Sequence, residues 1–474
     1  VYIEAKDEAT TLEIYLRDAK TGLEVTLRYT VLEAFHALAC SVHFHNAGSE
    51  TLLLERALSC ALNLPGEWEL LHLHGAWSRE RQPERLAIPH ATFTLRSNRG
   101  ASGHEHNPFL ALLSPTADDR QGEVWGVSLV WSGSFVMEVN KDARDHVRLV
   151  AGLDPCDWRL KPGEDFHTPE TVLVRSDCGL NGMSQRFHAL YRRRLCRGPW
   201  RDRIRPLLVN NWEATYFDFN EEKLLDIART AAELGLELFV LDDGWFGKRN
   251  SDNCSLGDWT VNTEKLPGGL EGFAEKLHRL GLRFGLWLEP EMISPDSDLY
   301  RAHPDWCLHV PNRYRTQQRN QLILDMSRQE IQDYLIDTIS GLLRGGAIDY
   351  IKWDMNRNFD EVGSAALPPE DMKSLHVRYM LGLYRVLDTL TSRFPDVLFE
   401  SCSGGGGRFD PGMLAYMPQT WTSDDTDAVE RVGIQWGTSL VYPVSAISAH
   451  VSAVPNHQVG RVTTMKFRGD VALG

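Results

Sequence analysis

Apolar and polar positions alternate with period two along the first third of the chain. Thr11-Leu-Glu-Ile-Tyr-Leu-Arg17 and Leu23-Glu-Val-Thr-Leu-Arg-Tyr29 are runs of this kind, and turn signals such as Asn46-Ala-Gly-Ser49 and Trp131-Ser-Gly-Ser134 separate them. Many short strands with hairpin punctuation predict an antiparallel β-sandwich over residues 1–178. The chain opens at Val1 in strand-like sequence and without Met, so this domain is expected to be N-terminally incomplete. The pairs His43/His45, His72/His74 and His104/His106 would each share a strand face. No third ligand stands at a recognisable spacing, so they read as packed or loop histidines, and no metal is expected.

The period then changes. Ser184-Gln-Arg-Phe-His-Ala-Leu-Tyr-Arg-Arg-Arg-Leu195 predicts a helix with a basic face inside a helical linker, 179–205. From Pro206 apolar strands alternate with helical stretches. Strands are expected at 207–212, 237–242, 282–288, 348–354, 397–402, 417–423, 444–450 and 463–470. Leu224, Ile227, Ala231 and Leu234 are spaced for one helix face, and 376–393 gives another helix. Ser327-Arg-Gln-Glu330 has the form of a capping box before the stripe Ile331, Leu335, Ile339 and Leu342. Eight such strands in about 265 residues predict a (β/α)8 TIM barrel over 206–474. No eighth helix follows the last expected strand, so the barrel reads as C-terminally incomplete, truncated near that strand.

Composition narrows the function. The 50 Lys and Arg against 65 Asp and Glu leave a net charge of −15, which argues against nucleic acid and anionic membrane surfaces as partners. No apolar run of about 18 residues would span a membrane. The 8 cysteines are scattered without a Cys-x-x-Cys pair. That excludes a zinc ribbon or dithiol redox motif and points to reduced thiols in a cytoplasmic setting.

The chemistry concentrates at the C-terminal ends of the expected parallel strands, where barrel active sites lie. In Asp349-Tyr-Ile-Lys-Trp-Asp-Met-Asn-Arg357, Lys352 and Asp354 share a face, so a cation and a carboxylate meet at one strand end. Other ends read Leu241-Asp-Asp-Gly-Trp245, Trp287-Leu-Glu-Pro-Glu291, Glu400-Ser-Cys-Ser-Gly-Gly-Gly-Gly407 and Trp421-Thr-Ser-Asp-Asp-Thr-Asp427. One such end is an ordinary turn or cap. Five on one rim, with Lys352 and Arg319 as counter-charges, suit a polyol: aromatic faces stack on sugar C–H groups, and carboxylates and Lys bind hydroxyls. Paired carboxylates across such a mouth are what glycoside hydrolysis needs. From the residues alone, which two form the pair stays open.

These motifs, together with Asn211-Trp-Glu-Ala-Thr-Tyr-Phe217, closely resemble the bacterial α-galactosidases (melibiases) of glycoside hydrolase family 36, and the resemblance runs through essentially the whole chain. It implies a retaining exo-α-galactosidase acting on melibiose- and raffinose-type oligosaccharides, without metal or organic cofactor and homo-oligomeric in its full-length form. It also implies Asp354 as nucleophile and Asp424 as general acid/base, with Asp425 as the neighbouring alternative. Asp242 and Asp243 would hold the 4- and 6-hydroxyls and Lys352 the 3- and 4-hydroxyls, with Arg319 lining the pocket. Asn356, Cys402 and Gly404 would lie near the 2-hydroxyl, and Trp212, Trp287 and Trp245 would supply walls. Lys352 beside Asp354 favours the ionised carboxylate that a nucleophile requires. Rival readings are an α-N-acetylgalactosaminidase, a galactosyl transferase, a Schiff-base aldolase using Lys352, and a non-catalytic sugar-binding module.

Overall fold

The computed structural model describes residues 8–473, so the strand expected at Val1 lies outside them. The N-terminal part is β-rich and antiparallel. Its larger sheet runs Thr10–Arg17, Leu23–Leu32, Ala37–Asn46, Thr171–Ser176, Val124–Leu129, His106–Leu113, Glu69–Ala76 and Arg79–Ala87, with Asp165–His167 paired to Ala37–Asn46. A four-stranded sheet comprises Ala57–Leu64, Val147–Leu153, Phe135–Lys141 and Thr92–Ser97. Leu110, Leu112, Val127 and Leu129 of the larger sheet bury against Phe135, Met137, Leu149 and Ala151 of the smaller. The alternate residues Phe109, Ala111 and Leu113 pack with Met183, Phe187 and Leu190 of the helix Gly179–Leu190. Strand His106–Leu113 is therefore covered on both faces, which is why 109–113 is a continuous apolar run.

Most of the histidine pairs are tied locally. His43 and His45 both bond Asp165 Oδ1, at 2.7 and 3.0 Å, and His72 bonds Glu84 at 3.1 Å. Among the described residues no group of three His, Cys, Asp or Glu is placed to hold a metal ion. Of the basic run, Arg192 and Arg193 are exposed and Arg194 pairs with Glu8.

Beyond this lies a parallel sheet whose strands stand in chain order: Leu208–Asn210, Leu238–Leu241, Arg283–Leu288, Tyr350–Trp353, Leu398–Ser401, Gln419–Trp421 and Ile447–Ser448. Helices Glu221–Glu233, Gly269–Arg279, Gln329–Leu343, Leu375–Arg393 and Ala428–Ser439 lie in the connections. Ile331, Leu335 and Ile339 are buried, as their spacing predicts.

Two expectations are corrected. The expected eighth strand, 463–470, is a helix, Met465–Leu473. None of its residues is buried, so no sheet face rewards strand alternation, and helical spacing lets Lys466 pair with Asp470 at 2.5 Å. Among the described residues seven parallel strands stand where the eight of a (β/α)8 barrel were expected. The capping box does not form either: Asp325 takes both the N–H and the hydroxyl of Ser327, at 3.1 and 2.5 Å, and Glu330 pairs with Arg328. No described helix is long and apolar enough to cross a membrane.

Candidate active site

Asp354 follows the fourth parallel strand and is 7 % exposed. Its carboxylate collects four N–H donors. Met355 N and Gly404 N reach Oδ1 at 2.8 and 3.2 Å, while the Asn356 amide and the Trp287 indole reach Oδ2 at 2.8 and 3.2 Å. Burial opposes its charge, but Lys352, the Asn356 amide, Arg319 and the Cys402 thiol together hold it below the ordinary carboxylate range. Burial, then Asp354 itself, pushes the Cys402 thiol well up, so the sulfur stays protonated. In that form it is no thiolate nucleophile.

Lys352, on the same strand face, pairs with Asp242 at 3.2 Å and lies 5.2 Å from the centre of the Trp421 ring. Burial alone would lower its affinity for the proton, yet Asp242, Cys402 and Asp354 raise it above the usual lysine value. Asp242 also accepts the Asn210 amide at 2.5 Å, and Asn210 Oδ1 takes the N–H of Trp212 at 2.8 Å. Half-buried Trp212 packs edge-on against Tyr216 and Phe217. Asp243 is engaged by Arg249 in a buried two-pronged pair, 2.9 and 2.8 Å. Arg319 is exposed and adds positive potential at Asp243, Glu289 and Asp354.

Asp424 follows the sixth parallel strand. The Trp421 indole donates to Oδ1 at 3.1 Å and the Trp77 indole, from the β-rich part, to Oδ2 at 2.9 Å. The glycine-rich ribbon joins the two carboxylates: Gly404 N bonds Asp354, and a Cβ on Gly405 would sit 3.4 Å from the Asp424 carboxyl carbon. Geometry separates the neighbouring pair of aspartates. Asp425 is 6 % exposed and its Oδ1 accepts Asp427 N at 2.9 Å, so it serves the turn into the next helix.

Asp242, Asp243, Trp287, Arg319, Lys352, Asp354, Asn356, Cys402, Gly404 and Asp424 therefore gather at one end of the sheet, and Trp212 joins through Asn210. Trp245 is fully buried, and its indole donates to Trp287 O at 2.9 Å.

Several residues here carried no assignment from sequence. Glu289 accepts the Gln321 amide at 2.7 Å and the backbone N–H of Asn356. Burial, then the charge of Asp354, pushes its carboxyl up to about 7. Its motif was visible, but its role depends on Asp354 lying across the strands. Glu291 and Arg408 form an ion pair with both side chains 0 % exposed, at 2.7 and 3.1 Å, and Glu291 also takes the Trp353 indole and the Tyr379 hydroxyl. Arg249 and Trp77 had no sequence signal, because their partners are brought by folding.

The family model described as Melibiase matches residues 165–474, and the glycosyl hydrolase family 36 N-terminal domain matches residues 1–161. Over its whole length the chain is 61% identical to alpha-galactosidase AgaA of Geobacillus stearothermophilus, and 48% identical over 99% of its length to alpha-galactosidase 1 of Pediococcus pentosaceus. It spans 65% of the length of each. The crystal structure of AgaA superposes with a TM-score of 0.98, covering 100% of this chain and 66% of that one. An AgaA variant crystallised with raffinose gives the same TM-score at 60% identity. With a match to the Melibiase model over residues 165–474 and to its N-terminal partner domain before it, the chain belongs to glycoside hydrolase family 36.

Proposed function

We propose that this protein is a retaining exo-α-galactosidase that removes terminal α-linked galactose from raffinose-type oligosaccharides. The observation that carries the proposal is the pair of carboxylates, Asp354 and Asp424, flanking consecutive residues of one glycine ribbon beside the Lys352–Asp242 pair. We take the seven parallel strands as staves of a (β/α)8 barrel with this pocket at its mouth.

Asp354, ionised and aimed by four N–H groups, attacks the anomeric carbon. The bond to the leaving oxygen breaks as protonated Asp424 gives that oxygen its proton. Asp424, now a base, takes a proton from water, which attacks the same carbon and frees Asp354. Two inversions leave the configuration retained, a course that needs the carboxylates roughly 5–5.5 Å apart. Asp242 and Lys352 hold ring hydroxyls, Asp243 contributes while anchored by Arg249, and Trp212 and Trp287 give apolar walls. Asn356, Cys402 and Gly404 border the 2-hydroxyl. The likeness to AgaA, crystallised with raffinose and stachyose, supports this substrate class. All eight cysteines are free thiols, which fits a reducing compartment.

The aldolase reading fares worse. A Schiff-base lysine needs a depressed pKa, and the pairing with Asp242 raises that of Lys352.

The test is Asp354→Ala with an aryl α-galactoside. Turnover is lost, azide partly restores it by forming β-galactosyl azide, and NMR of the wild-type reaction shows the α-anomer of galactose first. Wild-type binding without turnover, or an active variant, overturns the proposal.

A further inference from the structure

The strands Glu69–Ala76 and Arg79–Ala87 form a hairpin of the antiparallel sheet, yet its tip reaches the mouth of the parallel one. Trp77, at the turn, is 61% exposed and donates its indole N–H to Asp424 Oδ2 at 2.9 Å. Glu80 and Arg81 are buried, at 0% and 3%. Arg81 donates Nη1 to Gly406 O at 2.8 Å, Nη2 to Thr422 O at 2.5 Å and Nε to the Thr438 hydroxyl at 2.7 Å. Glu80 accepts the Ser423 hydroxyl at 2.6 Å and Gly406 N at 3.3 Å. From the other side Arg431 donates to Ser423 O at 2.5 Å and to Asp425 O.

The backbone on either side of Asp424 is thus clamped by two buried guanidiniums, one supplied by each part of the chain. Arg81 does this from a left-handed backbone, φ 51°. That conformation costs on the order of 1–3 kcal/mol in a non-glycine residue and persists where the surroundings over-determine it. Two kinds of contact converge on one carboxylate: a clamp on its backbone and an indole on its oxygen.

We propose that this hairpin sets the aim of the Asp424 carboxylate, with Arg81 as a positioning residue acting through the Thr422 and Gly406 carbonyls and Trp77 as a positioning residue acting on the carboxylate itself. This rests on the reading of Asp424 as the proton donor. General acid catalysis contributes about 10²–10⁴-fold, and a good leaving group needs little of it. Misaiming Asp424 therefore costs most where the leaving oxygen is basic.

The experiment compares kcat/KM, which reports the step that expels the leaving group, for raffinose and for 4-nitrophenyl α-galactoside in Trp77→Phe, Arg81→Lys and Asp424→Ala, with thermal unfolding of each. For Trp77→Phe the expected loss is about tenfold on raffinose and under about twofold on the nitrophenyl substrate; for Arg81→Lys it is about a hundredfold against under about tenfold. Equal losses on both substrates, or an unchanged kcat/KM for raffinose, would overturn the proposal. If Arg81→Lys does not fold, Trp77→Phe decides, since that side chain is exposed. An equal loss on both substrates in Asp424→Ala instead removes Asp424 as the proton donor.

Discussion

Glu289→Gln isolates one buried carboxyl whose environment is fully specified. Burial, then Asp354, holds it near 7, against 4.5 for the ordinary glutamate side chain. Below about pH 4.5 it is protonated in folded and unfolded chains alike, and its neutral form favours the fold. As pH rises towards 7 the unfolded chain gives up the proton first, so this contribution is lost; above 7 the loss is complete. A difference of this size is worth about 3 kcal/mol. Glutamine keeps the acceptor that holds the Gln321 amide and Asn356 N, but removes the titration. Relative to wild type, Glu289→Gln should therefore gain about 3 kcal/mol between pH 5 and pH 8, or about 5 °C in unfolding midpoint for a cooperative unit of about 270 residues. Thermal unfolding of both proteins across that range is the assay. A midpoint difference that stays constant with pH would refute the reasoning, and one that falls as pH rises would reverse its sign.

Other substitutions test other parts of the same site. Arg408→Met leaves Glu291 buried without its cation and should cost about 3–5 kcal/mol, read as a lowered denaturation midpoint; near-wild-type stability would show that the Trp353 and Tyr379 donors suffice. Gly405 has φ 80°, and a Cβ there would lie 2.8 Å from Asp424 N. Gly405→Ala should therefore lower kcat on raffinose by about a hundredfold, measured by galactose release; an unaffected rate would mean that the ribbon yields without moving Asp424.

What the chain's own pattern discloses is uneven. Strand ends rich in Asp and Glu announce themselves, because parallel strands direct successive C-termini to one rim, and Asp354 with Lys352 follows from period two alone. Contacts made across the fold leave no such trace. Asp243 reads as a free pocket carboxylate until folding brings Arg249 onto it. Trp77 lies 347 positions from Asp424, and only tertiary structure joins them. At 463–470 the apolar residues satisfy a strand pattern, but none of the residues of the helix Met465–Leu473 is buried, so no covering face rewards the alternation and local helical pairing prevails.

The glycine ribbon has a mechanical consequence. Residue 404 is bonded to one acidic group and residue 405 abuts the other. Thermal breathing that shifts this segment as a body carries both groups along together. In the proposed mechanism their gap decides whether water or the protein reaches the sugar first, and it is protected from such drift, much as the jaws of a caliper cut from one piece keep their opening when the tool is moved. Errors are thereby diverted from stereochemical outcome into rate.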